Sequence, residues 1–284
     1  MISRRSFLQA GSAAAALCAL GSARQLQAIG VQLYTVRNVL PEKPAETLQA
    51  IEAIGYREVE ATFATLDAIW PSLKATSLKP VSMHLDSKDV TKGSGDNLSR
   101  VVDKVKGHGF EYAVFPYLPP DERGGLDVIR KLAATLNAAG EKCRAAGLHF
   151  CYHNHAFEFQ PMGGTFPFKV LLEETDPKLV GIEMDCFWVS VAGHDPVEVL
   201  KAHGSRIPLL HLKDKAKDTP VRYNESVPKP TFKEVGNGVI DWPAVLSAAA
   251  AENVQHYFVE QDQTPGNPVD SLKASYEYLS KLNY

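Results

Sequence analysis

Residues 148–158 read LHFCYHNHAFE, a short apolar run that changes abruptly into ionisable residues. The run up to His153 is short and rich in aromatic residues, which predicts a β-strand. Similar runs recur along the chain, and most of them end in a polar or ionisable residue. The eight predicted strands are Ala28–Tyr34, Glu58–Ala61, Pro80–His84, Tyr112–Pro116, Leu148–His153, Val180–Asp185, Ile207–Lys213 and His256–Glu260.

Amphipathic segments between these strands predict helices, which begin near proline or aspartate and end near glycine. The clearest are Pro44–Ile54, Leu126–Ala146, Pro196–His203 and Asp241–Glu252. Strands that alternate with crossover helices predict a parallel sheet, and eight units predict a closed (β/α)8 TIM barrel over residues 28–284. An open dinucleotide-binding sheet is disfavoured because no Gly-x-Gly-x-x-Gly motif follows the first strand. Lys215–Pro230 is predicted to be a long loop that covers a site.

The first 27 residues form a predicted export signal. Arg4 and Arg5 precede the apolar run Ala13–Leu20, and Ala23 offers a cleavage position after small residues. The paired arginines followed by Phe-Leu are typical of twin-arginine signals. We therefore expect a periplasmic or other extracytoplasmic protein. The apolar run is too short to span a bilayer, so no stable membrane anchor is expected.

The overall charge indicates which class of binding partner is expected. The formal net charge is −3, and no basic excess is present to bind a phosphate backbone. Nucleic acid is therefore not an expected partner, whereas a small molecule is. Assembly into a homo-oligomer is left open.

Polar side chains end nearly every predicted strand, and the carboxyl ends of parallel barrel strands meet at one rim. Burying so many ionisable groups together is costly without a cation, so we expect one divalent metal there. Carboxylates with one or two imidazoles suit manganese, magnesium, cobalt or zinc. The strand-end residues include Tyr34, Glu60, His84, Tyr117, His153, His155, Asp185, His211, Lys213 and Glu260.

Five motifs resemble the xylose-isomerase-like TIM barrel family of sugar phosphate isomerases and epimerases. They are GVQLYTVR at 30–37, YHNHAFEF at 152–159, HLKD at 211–214, VGNG at 235–238 and VEQD at 259–262. The resemblance covers Ile29 to about Leu282. It implies one metal, preferably manganese, that is held by Asp185, His211, Glu260 and a residue near strand five.

The strand-five ligand is open between two residues. Glu158 is preferred because a carboxylate completes the donor set of the family, and His153 is the alternative. The resemblance further implies that Glu158 and Glu260 transfer protons on opposite faces of a substrate carbon, while Lys213 stabilises an enolate oxygen or protonates a leaving group. The predicted substrate contacts are Tyr34, Glu60, His84, Tyr117, His153, His155 and Trp188.

The leading functional hypothesis is a metal-dependent isomerase or epimerase that acts on a keto-sugar or related polyol through an enediolate. The alternative is a lyase or hydratase that cleaves a keto-glycoside by β-elimination from the same intermediate. Export favours unphosphorylated substrates, since sugars outside the cytoplasm are usually glycosides. A non-catalytic sugar-binding barrel and an endonuclease-type barrel are less favoured, because a full ligand set is present and no basic face is.

Overall fold

The structure is a computed structural model that describes residues 24–92 and 95–284. Most of the predicted signal segment and its cleavage position at Ala23 lie outside the described residues. Arg24 exchanges two backbone hydrogen bonds of 3.0 Å with Tyr284. The described chain therefore begins beside its own C-terminus.

Eight parallel strands form the closed barrel. The strands are β1 (Gly30–Gln32), β2 (Glu58–Thr62), β3 (Lys79–His84), β4 (Tyr112–Phe115), β5 (His149–His153), β6 (Gly181–Asp185), β7 (Leu209–Leu212) and β8 (His256–Val259). Each strand pairs with its sequence neighbours, and β1 pairs with both β2 and β8, which closes the ring. The predicted TIM barrel is confirmed.

Helices connect the strands and cover the outside of the barrel. They are α1 (Pro44–Ile54), α2 (Leu66–Leu73), α3 (Ser87–Thr91), α4 (Gly95–Gly107), α5 (Leu126–Ala145), α6 (Pro167–Glu174), α7 (Cys186–Val191), α8 (Pro196–His203), α9 (Trp242–Ala251) and α10 (Pro268–Leu279). The four predicted helices are present within one residue at each end. Asp195 and Asp241 cap α8 and α9 by accepting backbone N–H groups of the first turn.

The first strand is shorter than predicted. Of Ala28–Tyr34, only Gly30–Gln32 is extended, because Leu33–Val36 forms a 3₁₀ turn. The side chain of Gln32 accepts a 2.5 Å hydrogen bond from the backbone of Tyr34 and so favours this turn. The strand therefore stops at the depth where the polar residues of its neighbours begin.

Two apolar layers hold the barrel together. The larger lies between the strands and the helices, while a separate cluster consists of Val81, Tyr112, Val114, Cys151, Leu209 and Phe258. Side chains two positions apart on a strand face the same side. Leu209 and His211 are related in this way, as are Phe258 and Glu260. The small cluster therefore fills the barrel interior below the polar rim.

The long loop after β7 is fixed at its base by Asp214. The two-residue strands Asp214–Lys215 and Phe232–Lys233 pair in antiparallel fashion. The buried Asp214 carboxylate accepts N–H groups from Gly236, Gly238 and Ile240 at 2.9–3.2 Å, and from the Trp242 indole at 2.7 Å. A Cβ at Gly238 would lie 2.1 Å from this carboxylate, so only glycine fits there. One side chain therefore connects the loop to the barrel.

Replacing Asp214 by alanine is expected to lower the free energy of unfolding by about 3 kcal/mol or more, because five donors, including the backbone N–H of Lys215, would lose their acceptor. Urea unfolding followed by circular dichroism measures this change. The matched control is Asp67→Ala, since Asp67 is 78% exposed and forms a surface ion pair with Lys104. The control is expected to cost no more than about 1 kcal/mol. Equal losses in the two variants would contradict the role given to Asp214.

Candidate metal centre

The ends of β5–β8 bring four potential metal ligands to one point. His153 and Asp185 are the last residues of β5 and β6, His211 lies within β7, and Glu260 follows β8. One ligand atom of each lies within 4.8 Å of those of the other three, and all four side chains are buried. The structure thus brings together the predicted ligands Asp185, His211 and Glu260. The fourth member is His153, which was the alternative to Glu158.

We call His153, Asp185, His211 and Glu260 the upper group. Some of their ligand atoms are in contact, and others are up to 4.8 Å apart. His211 Nδ1 lies 3.0 Å from Glu260 Oε2 and 3.8 Å from Asp185 Oδ2. His153 Nε2 lies 4.0 Å from the same Asp185 oxygen. Two imidazole nitrogens and two carboxylate oxygens are a donor set that fits a divalent metal of intermediate hardness.

A deeper polar layer lies beneath the upper group. Glu183 Oε2 is 2.7 Å from His84 Nε2 and 3.0 Å from His153 Nδ1. Glu60 Oε1 is 2.6 Å from His211 Nε2 and 3.0 Å from His84 Nε2. The two carboxylates therefore bridge three histidines at the centre of the barrel.

The deeper layer determines which ring nitrogens remain for the upper group. Glu60 occupies Nε2 of His211, so Nδ1 faces Asp185 and Glu260. Glu183 occupies Nδ1 of His153, so Nε2 is directed toward Asp185. Metal-binding histidines commonly give their second ring nitrogen to a carboxylate in this way. A second potential ligand group contains His84, His153, Glu183 and His211, but Glu183 is its one carboxylate and the Oε2 atom of Glu183 already contacts His84 and His153, whereas the upper group contains two carboxylates. The upper group is therefore the better candidate.

Glu183 was missed by the sequence analysis, although a signal for it was available. It precedes Asp185 by two positions on β6, and residues two apart on a strand face the same side. The predicted substrate contact Glu60 also belongs to the deeper layer. It is fully buried and accepts a 2.5 Å hydrogen bond from Ser82.

The charges in the two layers compensate one another. Burial lowers the pKa of His84, but the carboxylates of Glu60 and Glu183 outweigh burial and raise this pKa to about 10. Burial raises the pKa of Asp185 to about 6, although Lys213 and His211 oppose the change. Burial also acts to raise the pKa of Glu260, but Lys213 and His211 hold it well below its usual range.

Lys213 supplies a buried cation beside the upper group. Its Nζ atom lies 2.6 Å from Glu260, 3.0 Å from Asp185 and 2.6 Å from Asp262. Burial lowers the pKa of Lys213, but the three carboxylates outweigh it and raise the pKa well above its usual range. The lysine therefore stays charged. Asp262, its third partner, was not predicted as a site residue.

Glu158 lies in the 3₁₀ turn Phe157–Phe159 that follows β5. Its carboxylate accepts a 2.8 Å hydrogen bond from the Tyr152 hydroxyl and lies 2.9 Å from the backbone nitrogen of His155. These contacts close the turn, and the side chain is in neither group of potential ligands formed by the described residues. Its predicted roles as metal ligand and proton-transfer group stay predictions.

A cavity of about 510 Å³ opens at the upper group. Its size falls in the range of small-molecule sites. Glu260 and Lys213 line it, while Glu60 lies below it. The other predicted substrate contacts all line it, namely Tyr34, His84, Tyr117, His153, His155 and Trp188. Aromatic faces and polar groups in one cavity suit a polyhydroxylated ring.

The loop after β7 contributes one wall of this cavity through Glu225. The carboxylate of Glu225 makes a two-pronged ion pair with Arg123, at 2.9 and 3.0 Å. The Arg123 guanidinium in turn lies 3.7 Å from the centre of the Phe157 ring. The predicted covering loop is therefore fastened to the loop that follows β4.

Another cavity of about 580 Å³ lies at the opposite end of the barrel, among residues such as Gly147, Gly181 and Pro208. The guanidinium of Arg206 in its wall donates to the carbonyls of Leu172 and Val180. This arginine serves packing, and neither potential ligand group lies there. The cavity at the carboxyl ends of the strands is thus the candidate site.

The environment of Glu158 predicts a pH-dependent stability. Burial raises the pKa of this carboxyl to about 8, against the hydrogen bonds from His155 and Tyr152. A carboxyl with a raised pKa in the folded state stabilises the fold fully at low pH. That contribution is lost as pH rises from the pKa of the unfolded chain, about 4.5, through 8.

We compare the free energy of unfolding in urea for Glu158→Gln with that of the parent protein. The difference between the two should shift in favour of the variant by roughly 3 kcal/mol as pH rises from 5 to 8.5. The amide has no charge to desolvate, which is the reason for the difference. Glu198→Gln is the control, since Glu198 is 68% exposed, and its difference from the parent should not change with pH. A flat difference for Glu158→Gln would mean that the carboxyl is ionised throughout.

Comparison with known proteins agrees with the fold. A family model described as xylose isomerase-like TIM barrel matches residues 48–282, and a model of the twin-arginine translocation signal sequence matches residues 1–21. The predicted export signal is thereby confirmed. Among the described residues, the helices are all too short or too polar to cross a membrane.

Similar sequences include inosose dehydratase 2 of Bacillus cereus (strain ZK / E33L). It is 32% identical over 159 residues, which is 51% of this chain and 51% of that protein. The chain thus matches about half the length of this relative.

Solved structures share the barrel at low identity. A sugar phosphate isomerase/epimerase from Parabacteroides distasonis is 23% identical, with a TM-score of 0.74 over 93% of this chain and 97% of that one. A 3-keto-D-glucoside 4-epimerase from E. coli is 16% identical, with a TM-score of 0.63 over 88% and 98%. A barrel protein from Mycobacterium smegmatis, in complex with magnesium, is 13% identical, with a TM-score of 0.66 over 89% and 95%.

These structural likenesses show the fold alone. The family model matches most of the chain, which shows membership of the family as well as the fold. This match agrees with the motifs and with the eight-stranded barrel. The chain belongs to the xylose isomerase-like TIM barrel family.

Proposed function

We propose that this protein is a divalent-metal-dependent lyase that removes the proton beside a carbonyl group of a keto-sugar or keto-polyol and then expels a β-oxygen substituent. The observation that carries this proposal is the upper group at the base of a cavity of about 510 Å³. Enzymes of this kind need a cation and a carboxylate beside the same substrate carbon.

His153, Asp185, His211 and Glu260 would hold the metal. Their nitrogen and oxygen donors fit manganese, cobalt or zinc well, and magnesium less well because of the imidazoles. Manganese stays our preferred ion. When bound, a divalent metal supplies Lewis-acid polarisation of a carbonyl oxygen.

Glu260 is the candidate for proton removal. Its ion pairs with His211 and Lys213 both use Oε2, so Oε1 is available to the substrate. The low pKa of this group keeps it ionised, which a base must be before it takes up a proton. The charged Lys213 lines the cavity beside it and can stabilise negative charge that develops on a substrate oxygen.

Proton loss from the carbon α to the carbonyl gives an enediolate. Its electrons then form a carbon–carbon double bond as the carbon–oxygen bond at the β position breaks. The oxygen leaves as water, or as an alcohol when the substrate is a glycoside, after taking up a proton. Neither an oxidant nor a reductant is needed.

Two observations favour elimination. Epimerisation by two glutamates requires the second one at the substrate, whereas the Glu158 carboxylate contacts Tyr152 and the backbone of His155. The matched relative from Bacillus cereus is an inosose dehydratase, which suggests loss of water from a keto-polyol. Epimerisation is the second candidate, because His155 and Lys213 both line the cavity and either can return a proton.

The test uses mature, manganese-loaded protein in deuterated water with 2-keto-myo-inositol and with methyl 3-keto-glucoside. Mass spectrometry is expected to detect loss of water from the first or of methanol from the second. Epimerisation would conserve mass apart from incorporated deuterium. If neither compound loses a fragment or exchanges its α-proton, the proposal fails for these two substrate classes.

Glu260→Gln is expected to lower turnover at least ~1000-fold, because it removes a proton acceptor and a charged ligand together. The control is Glu58→Gln, which alters another buried glutamate that pairs with His256 at the other end of the barrel. Its turnover should stay near that of the parent protein. Parent-like rates with Glu260→Gln would exclude this residue as the base.

Metal content distinguishes the two candidate strand-five ligands. His153→Ala is expected to lower bound manganese about tenfold or more after gel filtration, and to remove the rise in melting temperature that manganese causes. Asp185→Asn and His211→Ala should do the same. Glu158→Gln should retain the metal, since its carboxylate contacts Tyr152 and His155. Loss of metal in Glu158→Gln but not in His153→Ala would reverse the assignment.

A further inference from the structure

Trp188 has a polar group without a partner. It lies in α7, three residues after Asp185, and its side chain is 2% exposed and lines the cavity. Within residues 24–92 and 95–284, its indole N–H finds no acceptor. A buried donor without an acceptor costs free energy, so it calls for a partner that the protein itself does not supply.

Another buried tryptophan provides an internal contrast. Trp242 is fully buried, and its indole N–H donates to Asp214 at 2.7 Å. The chain therefore satisfies an indole where the tryptophan serves packing. At Trp188 no protein acceptor is supplied, although the residue lies at the wall of a polar cavity.

His155 presents a second group without a partner beside the first. Its Nδ1 atom is buried and has no hydrogen-bond partner in the described part of the chain. Its ring centre lies 5.3 Å from that of Trp188, with the planes tilted by 31°. The two rings are therefore neighbours in the lining of one cavity, and both carry an unpaired nitrogen.

Both rings are fixed relative to the upper group. The backbone N–H of Trp188 donates to Asp185 Oδ1 at 2.9 Å. His155 follows His153 by two residues, and Glu158 accepts its backbone N–H. The His155 ring also lies 5.0 Å from that of His153, so an oxygen held by the two rings would lie near the candidate metal ligands.

We propose that Trp188 Nε1 and His155 Nδ1 form a subsite for one hydroxyl group of the substrate. The indole can only donate, so the ligand atom must accept a hydrogen bond. An imidazole nitrogen can accept the proton of a hydroxyl or donate to its oxygen. The proposal rests on the proposed function, because it concerns a polyhydroxylated substrate in the same cavity. It makes Trp188 a specificity-determining residue, since a compound that lacks this hydroxyl leaves both nitrogens unpaired.

The test measures binding, so it does not depend on turnover. Isothermal titration of manganese-loaded protein gives the Kd of 2-keto-myo-inositol and of its mono-deoxy analogues, for the parent protein and for Trp188→Phe. Phenylalanine keeps an aromatic ring and removes the N–H. We expect Trp188→Phe to weaken binding of the parent compound about tenfold, which equals about 1.4 kcal/mol.

The same analogues identify the hydroxyl. One deoxy analogue should bind Trp188→Phe and the parent protein equally, whereas the others should show the tenfold difference. The Kd of that same analogue should also be unchanged in His155→Phe. Trp70→Phe is the matched control, because Trp70 on α2 packs against His108, which follows α4, and its Kd values should not change.

Two results would overturn the subsite: unchanged binding in Trp188→Phe, or an equal loss for every analogue, which would indicate a packing role. No binding of 2-keto-myo-inositol to the parent protein would overturn both the subsite and the polyol substrate. Binding with the expected selectivity but without turnover would overturn the proposed lyase and leave the subsite intact.

Discussion

Charge compensation in the dry interior of the barrel is the constraint on which the site depends. Glu60, Glu183, Asp185 and Glu260 are buried close together. Their mutual repulsion and desolvation would be prohibitive without positive charge nearby. His84, with a pKa near 10, and the buried Lys213 supply part of that charge. The upper group could bind a further positive charge, which is the physical basis for expecting a metal.

The polar interior has two layers with different tasks. The deeper layer uses Glu60 and Glu183 to hold the imidazoles of His211 and His153, so that each presents a defined nitrogen to the cavity. The upper layer presents these nitrogens together with carboxylates. A scaffold of parallel strands suits this division, because residues two apart on one strand contribute to successive layers.

The outer wall of the cavity is built by loops, and hydrogen bonds and ion pairs between residues distant in sequence hold these loops in place. Asp214 gathers the backbone after the β7 loop, and Arg123 holds Glu225 at the cavity. Such loops are where members of one barrel family differ in substrate. The barrel therefore positions the candidate metal ligands, while the loops form the outer wall, and our proposal assigns the choice of substrate in part to the rings of Trp188 and His155.

The sequence alone determined the barrel, the export signal and the strand-end residues Asp185, His211 and Glu260, because strand periodicity and motifs are local properties of the chain. Only the tertiary structure shows that the His153 side chain lies beside that group, whereas Glu158 belongs to no potential ligand group of the described residues. The difference lies in a turn in which the Glu158 carboxylate accepts hydrogen bonds from the Tyr152 hydroxyl and the backbone N–H of His155. Nor did the sequence reveal the pairing of Glu60 with His211, 151 positions apart. Contacts of that kind exist only after the sheet has closed, because closure brings distant strands to one axis.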